Sequence, residues 1–428
     1  MAYLVPLLHS KGNAMLAFRT LPLLFALSIP AAAAEPHWVA SWGASPQARW
    51  DDSFILPAGV PASFERQSVR DVVRLSVGGK RLRIVLSNRY GATPLRVGEM
   101  RVALAGEGAA LVAGSSRAVT FGGSVHASAA PGAVLVSDAV DLPAGALARL
   151  AITTYYPAPT PVSTFHWGGQ QMPYLVGGNA TAAADLPAAA RFAGRAFLNS
   201  VLVEAPAAAR SVVVLGDSIT DGNGSSPDRD RRWTDVLAQR LAPAGVGVVN
   251  AGISGARLLG DRMGANALAR FDQDVLAQPG VSSVIIMMGI NDIGWPGSPF
   301  APGDAAMNAQ PVVEALRQLI ARARAHQLRV VGATLIPFEG ALAGTPFEGH
   351  YSPAKDAVRR RVNRWILDSG EFDAVFDADA VLRDPARPSR MRAEFDSGDH
   401  LHPGDAGYRA LAQALDLQAL MGKKRTRR

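Results

Sequence analysis

Four short blocks of this sequence carry residue types suited to acyl transfer. Gly216-Asp217-Ser218 follows the apolar run Val212-Val213-Val214-Leu215, so Ser218 emerges where a strand hands over to a helix. Backbone N–H groups at such a turn point toward a developing anion, which suits a nucleophile; the same turn suits Asp217 or Ser218 as a plain helix cap. Asn250-Ala251-Gly252-Ile253-Ser254-Gly255 follows Val248-Val249. Gly255 lacks a Cβ, so its N–H can approach an oxyanion closely, or it simply permits a turn. Gly289-Ile290-Asn291-Asp292 follows Val284–Met288, and the Asn291 amide is either a further oxyanion donor or part of an Asx turn. In Asp399-His400-Leu401-His402-Pro403, a spacing of three lets Asp399 accept from one ring nitrogen of His402 while the other faces Ser218. That is the orienter, base and nucleophile order of acyl transfer. The rival is a metal held by Asp399, His400 and His402, since His-x-His is a ligand spacing. It leaves the anion-stabilising blocks without a purpose, and no metal is expected.

These blocks need a scaffold that gathers strand ends. From Pro206 onward, short continuous apolar strands (Ser211–Leu215, Gly247–Asn250, Ser283–Met288, Arg329–Leu335, Ala374–Phe376) alternate with longer amphipathic stretches at Trp233–Leu241, Pro311–His326, Pro353–Asp368 and Asp405–Leu420. Strands without alternation are buried on both faces, as in a parallel sheet covered by helices, and such sheets place functional groups at the carboxyl ends of their strands. The pattern predicts a doubly wound α/β domain over residues 206–422.

Residues 35–205 read differently, in period two with turn signals between short runs. Val73, Leu75 and Val77, then Gly78-Gly79, then Leu82, Ile84 and Leu86 predict a hairpin. Further strands are expected at Arg96–Leu104, Val134–Leu142, Arg149–Tyr156 and Phe197–Glu204, giving an antiparallel β-sandwich or jelly roll. Its aromatic residues Trp38, Trp42, Tyr155, Tyr156, Phe165 and Trp167 are either a sugar-stacking platform or packing.

Taken together, the blocks resemble the SGNH (GDSL-type) hydrolases, with Ser218, Gly255, Asn291 and His402 in the family's order over about residues 212–420. His37–Trp42, Gly216–Gly222, Asn266–Pro279 and Ser397–Tyr408 are similar to a two-domain bacterial subgroup that includes a rumen xylan-operon arylesterase or acylhydrolase. The resemblance implies a flavodoxin-like three-layer fold with no metal or organic cofactor, catalytic Ser218, Asp399 and His402, and an oxyanion hole from Ser218, Gly255 and Asn291. It implies a secreted serine esterase acting on carboxylic, most simply acetyl, esters of carbohydrates or glycosides. A lysophospholipase or short-chain lipase would use the same groups, and a non-catalytic glycan-binding protein is the alternative of another class. The α/β-hydrolase elbow Gly-x-Ser-x-Gly is absent around Ser218. Arg232 and Trp295 are weaker expectations for substrate contact: Asp221, Arg232 and Trp233 either line the site or serve the fold, and Trp295 either stacks on a sugar ring or plugs its loop.

Composition bounds the rest. Apolar residues are 48% and charged residues 18% of the 428, the balance of a folded chain. Residues 1–34 contain no acid, run apolar from Leu21 to Ile29 and end in four alanines, which predicts a secretory signal peptide, with Met1 or Met15 as the start. The apolar run is too short for a stable membrane anchor, so the expected location is periplasmic or extracellular. Cysteine is absent, which excludes disulfides and thiolate chemistry. The net charge of +7 lies entirely in Lys11, Arg19 and the 423–428 tail, since without them 36 bases face 36 acids. A neutral body gives no electrostatic case for a nucleic-acid partner, which is not expected; the basic tail either touches nucleic acid or anionic lipid or is a solvated terminus.

Overall fold

The computed structural model describes residues 36–422, which fall in one compact unit. The expected leader and basic tail lie outside the described residues. The apolar runs of the second half form a five-stranded parallel sheet: β1 (Arg210–Gly216), β2 (Val246–Gly252), β3 (Val281–Met287), β4 (Arg329–Ala333) and β5 (Ala374–Phe376). Their order is β2-β1-β3-β4-β5. Val212, Val213, Val214 and Leu215 are all at most 1% exposed, as an absence of alternation requires. β1 pairs with β2 and β3 in parallel register, so Gly216 stands level with Gly252 and Met287.

Right-handed crossovers send the helix after β1 to one face and those after β2, β3 and β4 to the other. Accordingly, Trp233–Leu241 packs against the Asp405–Ala414 helix, and Ala309–Ala325 packs against Pro353–Asp368. The last predicted helix breaks at Leu415-Asp416, because the Asp416 side chain accepts from the Gln418 and Ala419 backbones and starts a separate helix, Leu417–Met421. Strand order reverses between β1 and β3, which opens a crevice beyond their carboxyl ends.

The first half is built of antiparallel strands. Gln67–Arg74 pairs with Arg149–Tyr156 and Tyr174–Gly177 in a six-stranded sheet, whereas Leu82–Ser87 pairs with Leu198–Glu204 and Val134–Val136 in a four-stranded one. The hairpin expected across Gly78-Gly79 is therefore not formed. After Arg74 the backbone bonds to Ala148 and Ser41, Gly79 pairs with Ala144, and the chain crosses from one sheet to the other. Alternation reported burial there, but two faces of one sheet and two different sheets leave the same period-two mark.

The two halves share their cores. Ala40, Val85 and Leu202 pack into the cluster around the parallel sheet, while Met263, Trp295 and Phe300 pack into the one built mainly from the first half. The edge strand Trp38–Gly43 also lies along β2.

Candidate active site

The four blocks meet at the carboxyl ends of β1, β2 and β3. Ser218 opens the short helix Ser218–Asp221; Asp217 caps it by accepting from the Ile219 N–H at 3.0 Å. The turn admits no side chain at Gly216, since a Cβ would stand 2.0 Å from Thr220 Oγ1. Ser218 Oγ lies 2.8 Å from His402 Nε2, and His402 Nδ1 lies 2.6 Å from Asp399 Oδ2. The other Asp399 oxygen accepts from the backbone N–H groups of Leu401 and His402 at 2.9 and 2.8 Å. Burial opposes ionisation of Asp399, but the hydrogen bonds and charge of His402 outweigh it and hold the carboxyl well below the usual range. An ionised Asp399 keeps the Nδ1 proton of His402 in place and leaves Nε2 to act as a base.

The expected anion donors Ser218, Gly255 and Asn291 follow the ends of β1, β2 and β3. Among the described residues the backbone N–H groups of Ser218 and Gly255 have no protein acceptor. Asn291, 1% exposed, donates one amide N–H to the Ala256 carbonyl at 3.0 Å, leaving its second free. Gly255 has φ +70°, and a Cβ there would meet Met263 Sδ at 2.0 Å, so any side chain at this position strains the backbone and displaces Met263. Asp292 accepts from the Leu258 and Leu259 N–H groups at 2.8 and 3.0 Å and ties the Asn291 turn to the Gly255 loop.

Other expected contacts have other partners. His400 has φ +61° and turns its ring to Asp396, 2.5 Å away, so it does not converge with Asp399 and His402 on a common ion. Arg232 is closed in a bidentate pair with Asp235, its stem packed on Gly222, and is not free to meet a substrate. Trp233 is fully buried and packs against Phe376, so it serves the core. Trp295, 6% exposed, donates to the Gly255 carbonyl at 3.2 Å and packs edge-on against Phe300 and His350, which makes it a prop for the oxyanion loop. In the first half Trp42, Tyr156 and Phe165 are buried, whereas Trp38, Tyr155 and Trp167 are partly exposed.

The site also holds a residue that sequence reasoning missed. His166 reaches from the first half to Asp221, its Nε2 2.9 Å from Asp221 Oδ1. Nothing in local spacing links positions in opposite halves of the chain.

Burial drives two site carboxyls upward: Asp217 to about 7 and Asp292 to about 6, against the smaller opposing effect of their backbone N–H donors. The folded state thus keeps an Asp217 proton that the unfolded chain releases above its usual 3.8. Stability from this proton is complete at low pH and falls as pH rises toward 7. Asp217→Asn keeps a capping oxygen without the titration. Its stability relative to the parent should rise between pH 4 and 7.5, by up to about 4 kcal/mol at ~1.4 kcal/mol per pH unit. Urea melts at both pH values measure this, and a pH-independent difference refutes it.

A family model, the GDSL-like lipase/acylhydrolase family, matches residues 214–410. No curated protein matches the chain. Among solved structures the chain is similar to a variant of an acetyl xylan esterase from Geobacillus stearothermophilus, with 23% identity over 51% of this chain and 97% of that one, TM-score 0.37. It is also similar to an inhibitor-bound aryl esterase of M. smegmatis (22% identity, 48% of this chain and 95% of that one, TM-score 0.36). A third is a GDSL-like lipase from Bacteroides thetaiotaomicron (19% identity, 48% of this chain and 85% of that one, TM-score 0.36). Residues 214–410 of this chain therefore carry a GDSL-like lipase/acylhydrolase domain.

Proposed function

We propose that the protein is an exported esterase that removes acetyl groups from carbohydrates or glycosides through an acyl-Ser218 intermediate. The observation that carries the reading is the continuous Asp399–His402–Ser218 chain of contacts at 2.6 and 2.8 Å. His402 Nε2 takes the hydroxyl proton as Ser218 Oγ attacks the ester carbonyl, and Asp399 stabilises the imidazolium formed. The N–H groups of Ser218 and Gly255 and the free Asn291 amide N–H receive the oxyanion. As the tetrahedral adduct collapses, the leaving alkoxide takes the proton from His402. Water, deprotonated by the same His402, then attacks the acyl-serine and releases the acid.

A small acyl group is favoured by close packing, with Ser218 5% and Asn291 1% exposed. A sugar is favoured by a run of aromatic rings leading away from the oxyanion loop. Trp295 contacts Phe300, which stacks on Phe347 and neighbours Phe54; Phe54 in turn stacks on Trp50, beside Trp167. Partly exposed Trp167, Phe54 and Phe347 offer faces on which a sugar ring packs. We read residues 35–205 as a β-sandwich domain and residues 1–34 as the signal that exports the chain to the periplasm or beyond; no helix among the described residues is long and apolar enough to cross a membrane.

Acetate release from acetylated xylan, pectin and peptidoglycan, run beside nitrophenyl esters of increasing chain length, tests this. The expected result is release from at least one glycan and a kcat/KM for nitrophenyl acetate at least about tenfold above that for octanoate, the scale of a few misfitted methylenes. A preference for octanoate would replace the carbohydrate reading with a lipid one.

A further inference from the structure

We propose that His166 is a positioning residue for the ester hydrolase, through which the first half of the chain holds the oxyanion loop in place. His166 ends the strand Thr164–His166 and is 5% exposed. Its Nδ1 lies 2.9 Å from the Ser45 carbonyl, and its Nε2 lies 2.9 Å from Asp221 Oδ1. A carbonyl only accepts, so Nδ1 carries a proton. The Nε2–Oδ1 contact then needs one further proton, which makes it either an ion pair or a hydrogen bond from a neutral acid.

Asp221 is the last residue of the nucleophile's helix, and its other oxygen accepts from both the backbone N–H of Ser254 at 3.2 Å and its hydroxyl at 2.7 Å. Ser254 precedes Gly255. One carboxylate thus joins the turn that carries Ser218 to the loop that carries the second oxyanion donor, and His166 fixes that carboxylate. The far side of the loop is held from the same half of the chain: Gln47 and Trp50 donate to the Met263 carbonyl at 2.6 and 3.0 Å, and the Met263 sulphur packs on Gly255. His166 itself touches no substrate. The cavity it lines with Asp221, Arg195 and Arg232 is about 10 Å³, room for one water.

The role rests on the acyl-Ser218 reading. Donors aimed at a transition-state charge act on kcat, and misplacement of about 1 Å lowers rates by about 100-fold. His166→Ala in the full chain, assayed on nitrophenyl acetate well below its melting temperature, should lose roughly 10- to 100-fold in kcat with KM within about threefold. Asp221→Asn added to His166→Ala should recover part of the loss, because an amide still accepts from Ser254 without leaving an unpaired buried charge. A His166→Ala kcat equal to that of the parent, or an activity loss that only follows the folded fraction, overturns the proposal. Should His166→Ala fail to fold, the double variant is compared with Asp221→Asn alone, and an equal kcat overturns it. Ser218→Ala in the same assay reports separately on the nucleophile: if that variant stays active, the acyl-serine reading fails, whatever His166 does.

Discussion

Ser218→Ala should abolish ester hydrolysis, with kcat falling by roughly 10⁵- to 10⁶-fold while KM and the melting temperature change little. The size follows from what the hydroxyl supplies. Without Oγ there is no bond to the acyl carbon, so His402 and the oxyanion donors can only assist direct attack by water, a residual contribution of roughly 10³- to 10⁴-fold over solution. Stability is spared because Ser218 makes its one side-chain contact with His402, while the turn is capped by Asp217 and closed by Gly222. Steady-state assay on nitrophenyl acetate, with thermal melting as a control, decides the point. A fall smaller than about tenfold would mean that water, not Ser218, attacks the ester. Labelling of the parent by a fluorophosphonate, lost in the variant, gives the same answer without turnover.

Asp399→Asn should lower kcat by about 10⁴-fold, and should be worse than Asp399→Ala. One carboxylate oxygen is committed to two backbone N–H donors, those of Leu401 and His402. An asparagine must keep its carbonyl oxygen there, which turns its NH₂ toward His402 Nδ1. Nδ1 is then forced to accept, and the ring proton moves to Nε2, where it faces Ser218 Oγ as a donor instead of a base. Alanine removes the orienting carboxylate without imposing the wrong tautomer, so water can take its place. The comparison therefore separates loss of an orienter from inversion of the base. If Asn and Ala are equally active, or Asn is the better of the two, the tautomer argument fails. Because Asp399 is held well below the usual carboxylate range, its protonation should not set the acidic limb of the parent's pH–rate profile above pH 4.

The catalytic half was largely legible because its signals are local. A strand buried on both faces is written as an unbroken apolar run, and β1 to β5 fall where such runs lie. Asp399 and His402 are three residues apart, so one turn of backbone brings them together and the pair can be read without a fold. Asp217 is an equally local brace, accepting from Ile219 two residues on, whereas Asp292 reaches Leu258 and Leu259 in the loop after β2 and has no such local mark. Errors arose where one pattern serves two arrangements. Val73–Leu86 alternates as a hairpin does, yet its two strands belong to different sheets, because alternation records which residues are buried and not which strand lies alongside. Arg232 follows the nucleophile closely and carries a charge, but its ion pair with Asp235 claims that charge before any substrate can.

By itself, the sequence determined the parallel-sheet elements, the four blocks at their ends and the chemical type of each block, since periodicity, turn chemistry and short spacings are written over a few residues. Only the tertiary structure decided which of those groups meet. The separation of 184 positions from Ser218 to His402 is spanned by a strand order that sets the block after β1 between those after β2 and β3 and returns the last loop over them. The contact between His166 and Asp221, 55 residues apart, depends on two cores packed into one another. Such a contact has no local signature, because its energy comes from burial and hydrogen bonding between surfaces that exist only once both halves have folded.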